Sequence, residues 1–300
     1  MSENTRLLMV GDNPFHNISH LTQDRTRLRD KELTYPEHAA SLILTSLENG
    51  ANGFMFSVSD TTLSILGVLR EKGEIENLKL CAIVPYAYEY VRLAAQFGGI
   101  LGLAKIFAKQ VFFSGDVGAI VSGVKGAVMT DPVSLLKTYL SYEIGRIRSS
   151  AGKKAKMHSV LLHEVVTDMA LALDLDWFFK ACVGFILSRK FTPGFNTCNF
   201  AYIVNKFRDW DIDLSKIMIA APFNKVGFQM APSKEACEKA LEGLNEPILM
   251  AISVLAAGYL KPAEAIDYIA SLRNVKGVAI GVSKERHARE TFKLIKEKFV

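Results

Sequence analysis

Along the whole chain, short apolar runs alternate with longer segments of helical period. The runs fall at residues 7–10, 53–58, 78–84, 159–164, 191–195, 217–221, 248–252 and 278–280. Each is too short for a helix of ordinary length, and most lack the polar alternation of a half-exposed strand. They suit strands buried on both faces. After most of them, apolar residues recur at three- and four-residue spacing. Ala40, Ile43, Leu44 and Leu47 share one such face, which Pro36 opens and Gly50 closes. Further helices are predicted at 61–72, 132–149, 168–189, 199–210 and 232–244, and from Pro262 and Ser283 onward. Ser283 is the expected N-cap of the last.

Eight strand–helix units in succession predict an all-parallel α/β fold, and the count of eight predicts a closed (β/α)8 TIM barrel. A doubly wound sheet is the alternative. No strand–helix junction carries GxGxxG, which argues against a dinucleotide-binding sheet. Residues 1–300 read as a single domain. One connection is about twice the usual length: residues 87–155 form an expected helical insertion after strand 3, with helical patterns at 88–97, 101–113 and 132–149. Its glycines and apolar residues favour packing, as a lid, as extra covering helices or as a homo-oligomer interface.

Composition narrows the function class. Apolar residues make up 49% of the chain, ample for a large core. The net charge is only +5 and the basic residues are scattered, so nucleic acid is not an expected partner. The most membrane-like stretch, 93–113, is interrupted by Gln96, Lys105, Lys109 and Gln110, so no membrane span is expected. Cys81, Cys182, Cys198 and Cys237 show neither CxxC nor zinc spacing. Reduced thiols and a cytoplasmic location follow as expectations, as does the lack of an apolar leader after Met1.

In a barrel of this kind, chemistry sits where strands end and loops begin. The expected catalytic residues are Asp12, His16, Asp60, His163 and Lys225; strand alternation is expected to turn His163 inward. A carboxylate beside a histidine suits proton transfer near neutral pH, with no metal required. Lys225 follows strand 6 and offers either a charge for an anionic substrate or an amine nucleophile. Asn13, Tyr86, Asn196, Asn224, Gly258, Gly281, Ser283 and Lys284 are the expected substrate- or phosphate-binding residues. The last three open the final helix, whose bare N–H groups attract anions.

Three stretches carry a family resemblance. Gly281-Val-Ser-Lys-Glu-Arg-His-Ala-Arg-Glu-Thr resembles the final strand-to-helix turn of the aldo-keto reductase superfamily. Ser253-Val-Leu-Ala-Ala-Gly-Tyr-Leu is similar to its strand 7 loop, and Leu161-Leu-His to the end of its strand 4. The resemblance spans roughly residues 158–298 and implies a barrel whose last two loops hold the phosphates of NADPH. It also implies a tetrad of Asp, Tyr, Lys and His. Asp60 and His163 match two members; Ile65 stands at the tyrosine position, and strand 3 ends without a lysine. Standard hydride transfer is therefore not expected. The readings left open are an enzyme using acid/base chemistry on a small anionic or phosphorylated metabolite, a non-catalytic binding barrel, an NADP-dependent reductase with a replaced tetrad, and a lyase using Lys225.

Overall fold

The computed structural model describes residues 6–16, 35–86, 131–244 and 246–299. Its centre is a closed barrel of eight parallel strands, each paired with its neighbours in chain order, the last with the first. The strands are β1 Leu7–Gly11, β2 Gly53–Ser57, β3 Lys79–Val84, β4 Lys156–Leu162, β5 Thr192–Asn196, β6 Met218–Pro222, β7 Ile248–Ile252 and β8 Val275–Gly281. Around them lie α1 Pro36–Glu48, α2 Asp60–Glu71, α3 Pro132–Ala151, α4 Glu164–Ala172, α5 Asp176–Ser188, α6 Phe200–Asp209, α7 Lys234–Glu242, α8 Pro262–Ser271 and α9 Glu285–Phe299. The TIM barrel read from the alternation is the observed fold.

Two apolar layers hold it together. Inside the barrel, Leu7, Met9, Met55, Cys81, Ile83, Leu161, Met218, Ala220 and Met250 form a compact plug. Their alternates along each strand, such as Leu8, Phe54, Leu80, Val160 and Phe195, face outward and pack against the helices. Both faces are thus buried, which explains the continuous apolar runs. Local signals set the helix starts. Ser59 and Thr62 form a reciprocal capping box at α2, and Asp131 accepts the N–H groups of Val133 and Ser134 at α3.

Four expectations need correction. Residues 168–189 are not one helix: Asp174, at φ 55°, ends α4, and α5 restarts at Asp176. Strand β4 stops at Leu162, so His163 is not a strand residue but the N-cap of α4. The first hydrogen bond of α9 runs from Ala288 N–H to the Lys284 carbonyl, so Lys284 rather than Ser283 holds the N-cap position. The last strand begins three residues early, at Val275; Lys276 and Gly277 break the apolar run and hide its first half.

Within 87–155, α3 occupies the outer ring between β3 and β4 and packs on α2 and α5. It is the barrel's own crossover helix. The helical patterns at 88–97 and 101–113 lie outside the described residues.

Candidate functional site

The C-terminal mouth is built from the first loop inward. After β1, Asp12 is followed by a short 3-10 turn, Asn13–His16, closed by the Phe15 N–H to Asp12 carbonyl bond at 2.8 Å. Phe15 is fully buried against Phe54 and anchors the turn. Asp12 therefore points back over the barrel. Its Oδ2 accepts the backbone N–H of Ser57, at the end of β2, at 2.6 Å. The same oxygen lies 3.2 Å from His16 Nε2. The side chains of Asp12 and His16 are only 8% and 5% exposed. The bond to Ser57 takes the better alignment, and His16 Nε2 meets no acceptor with hydrogen-bond geometry. The pair is thus an electrostatic contact in a dry setting, where it is stronger than in water. Tyr86, just past β3, stacks on His16 with ring centroids 4.8 Å apart.

His163 enters from the fourth strand end. Its Nδ1 accepts the Val165 N–H at 3.2 Å, so in the neutral ring the proton sits on Nε2. Burial pushes its pKa below the usual histidine range, and the charges of Glu164 and Asp12 oppose the shift. Loop 1 and the start of α4 therefore share one electrostatic neighbourhood. Asn196 ends β5 and follows inward-facing Gly194 by two residues, so it too faces the barrel mouth. It is 7% exposed, and its Oδ1 is buried without a partner. Buried polar atoms are nearly always paired, so orphans of this kind call for an explanation.

Other expected residues lie elsewhere. The Asp60 side chain is 83% exposed and bonds Arg146 of α3 at 2.9 Å. Lys225 is half exposed and pairs with Glu264 at 2.6 Å, so it lacks the burial that a Schiff-base amine needs. Asn224 is fully buried but spends its amide on Phe228, donating to the carbonyl and accepting from the N–H, both at 2.8 Å. Asn13 is exposed at the head of its turn. Gly281 has a packing reason: a Cβ there would come within 2.7 Å of Pro14, so loop 1 rests on the end of β8. Gly258, at φ 88°, closes a loop in which Ser253, Ala256 and Ala257 also have positive φ. Among the described residues no group of His, Cys, Asp and Glu side chains could hold a metal ion.

A second polar network was not anticipated. Asp168 of α4 accepts Thr197 Oγ1–H, the Cys198 N–H at 3.3 Å and Asn199 Nδ2 at 3.0 Å. It ties the loop between β5 and α6 to α4. The i, i+4 spacing of Glu164 and Asp168 was the only sequence signal for it. Cys198 Sγ lies 3.8 Å from Glu164 Oε2. Burial, then the charges of Glu164 and Asp168, push this thiol up to about 12, so it is no nucleophile.

This barrel matches solved structures over nearly its whole length. Two structures described as a candidate aldo-keto reductase from Pseudomonas aeruginosa superpose with TM-score 0.59, at 10% and 11% identity, covering 98% of this chain and 90% of theirs. The fold is that of the aldo-keto reductase barrels. An aldose reductase from Schistosoma japonicum superposes with TM-score 0.50 at 10% identity, covering 86% of this chain and 79% of that one. No protein-family model matches the chain, and no curated protein does. Ile65 is fully buried between sheet and helices, and β3 ends in Ile83 and Val84. No helix among the described residues is long and apolar enough to cross a membrane.

Proposed function

We propose that this aldo-keto-reductase-like barrel is an enzyme that moves a proton at a carbonyl or hydroxyl carbon of a small anionic metabolite, at the C-terminal mouth. The observation that carries this reading is the buried Asp12–His16 pair, whose Asp12 charge also acts on His163. Asp12 places negative charge at His16 Nε2, which favours the proton on that nitrogen and leaves Nδ1 as a base. The N–H of Val165 fixes the same Nε2-protonated tautomer in His163, whose Nε2–H is then a donor for a substrate oxygen. The depressed pKa keeps His163 neutral near pH 7, so it polarises the oxygen without adding a charge. Asn196 Oδ1 offers an acceptor for a substrate hydroxyl. Lys284 and the free N–H groups that open α9 supply positive potential for an anionic or phosphorylated group.

The residues present do not fit reductase chemistry. Among the described residues, buried Ile65 and the apolar end of β3 stand where the resemblance puts the tyrosine and the lysine, so no hydride step is assigned. The test is proton exchange. The protein is incubated in D2O with a panel of hydroxycarbonyl phosphates and hydroxy acids, and NMR follows deuterium entering carbons next to the carbonyl. Exchange that falls about 10²-fold or more in Asp12→Asn or His163→Asn supports the proposal. Exchange with no compound, together with no thermal stabilisation by any, rejects it. Robust aldehyde-dependent NADPH oxidation would also overturn it and point to Tyr86, beside His16, as a replacement acid.

A further inference from the structure

The opposite end of the barrel holds a cavity of about 280 Å³, lined by the first residues of β1, β3, β7 and β8. Its charged and titratable lining is Arg6, Lys79, His158, Arg273, Lys276 and a single acid, Glu246. Two irregularities of the sheet build it. On β4 the pairing with β3 steps from Met157 to Ser159, which leaves His158 as an extra residue. On β8 the pairing with β7 steps from Val275 to Gly277, which leaves Lys276 as another. A bulge releases its residue from the in–out alternation and re-aims its side chain. Here two bulges, on opposite sides of the barrel, deliver a histidine and a lysine to one cavity.

The lining sets four cations against one acid. Arg6 is held in place, donating to the Phe299 carbonyl and lying over the Phe299 ring. Lys79, Arg273 and Lys276 make no ion pair among the described residues. Nδ1 of His158 is buried with no partner. Burial, and then the nearby Lys79 charge, hold its pKa below the ordinary histidine value. Four cations, an unpaired imidazole nitrogen and one exposed carboxylate describe a concave surface of positive potential. The inner end of a barrel needs none of this for stability, since its plug is apolar.

We propose that this cavity at the N-terminal end of the barrel binds a small multiply charged anion, with Lys79, Arg273 and Lys276 supplying charge and His158 Nδ1–H a directed hydrogen bond. The site stands apart from the C-terminal mouth and does not depend on the chemistry there. Histidine NMR resolves the two ends, because His16 and His163 report on one and His158 on the other. The intact protein is titrated with inorganic phosphate and, separately, with citrate, at constant ionic strength. His158 signals should move saturably with at least one of them. Its titration midpoint should rise, because an anion beside the ring favours the protonated form. Lys79→Gln/Lys276→Gln should weaken that binding about tenfold or more, the loss expected from removing a charge-assisted contact. Should the double variant fail to fold, Lys276→Gln alone serves. Whichever of phosphate and citrate binds more tightly identifies the head group. His158 signals unmoved by both anions, or an affinity unchanged in the variant, would overturn the proposal. Asp12→Asn should leave the titration as it is, so this site and the mouth chemistry fail separately.

Discussion

Asp12 carries two roles that substitution can separate. Asp12→Ala removes the acceptor of the Ser57 N–H and the charge beside His16 Nε2. The Ser57 N–H, otherwise bonded at 2.6 Å in a buried setting, is then left unsatisfied. A hydrogen bond to a charged group contributes about 1.5–3 kcal/mol, and an orphaned buried donor costs about 1–3 kcal/mol. These overlap rather than add, so the expected loss is about 2–3 kcal/mol. The two side chains are 8% and 5% exposed, so little water can enter to replace the bond. Asp12→Asn keeps an oxygen for Ser57 but loses the charge. Bonds to neutral acceptors are roughly half as strong, so about 1 kcal/mol is expected. Urea unfolding at pH 7 measures both. At roughly 2 °C per kcal/mol for a chain of this length, Asp12→Ala should melt about 4–6 °C below the parent. The catalytic ordering differs: both variants should lose proton-transfer activity alike, because both remove the charge that orients His16. Asp12→Ala within about 0.5 kcal/mol of the parent would refute the structural role. An active Asp12→Asn would refute the chemical one.

Three further outcomes are expected. The folded-state pKa values of His163 and His158 lie below their unfolded value, so the stability tied to the neutral rings is full above about pH 6.5. It is lost as pH falls through the folded values, and the combined His163→Asn and His158→Gln variant should show a flatter decline in unfolding free energy between pH 7 and 5. Asp168→Ala leaves Thr197 Oγ1–H, the Cys198 N–H and Asn199 Nδ2 without their acceptor and should cost about 2 kcal/mol by urea unfolding, whereas Asp168→Asn should recover part of it. Gly281→Ala places a Cβ 2.7 Å from Pro14 and should displace loop 1, costing about 1–3 kcal/mol and shifting the His16 NMR signals.

The sequence by itself determined the barrel. Strands buried on both faces must be apolar nearly throughout, and helices that cover them must carry one apolar stripe, so runs such as Met218–Pro222 and faces such as that of α1 announce themselves locally. It also set Asp12 and His16 in the loop after the first strand and His163 at the end of the fourth apolar run, which made them candidates. What it could not do was aim side chains. Asp60 and Asp12 both follow strands, yet one pairs with Arg146 in solvent and the other lies over the barrel beside His16. That difference is set by α3, by the buried Phe15 and by the Ser57 N–H, all distant in the chain or in the backbone. His163 looked like a strand residue because nothing in its neighbours reveals that hydrogen bonding to β5 stops one position earlier. The network on Asp168 joins α4 to the loop between β5 and α6, residues about thirty apart in the chain. The basic cavity at the other end depends on two bulges, and a bulge is a property of pairing between strands: His158 and Lys276 are extra only relative to β3 and β7, and no single strand's sequence contains that comparison.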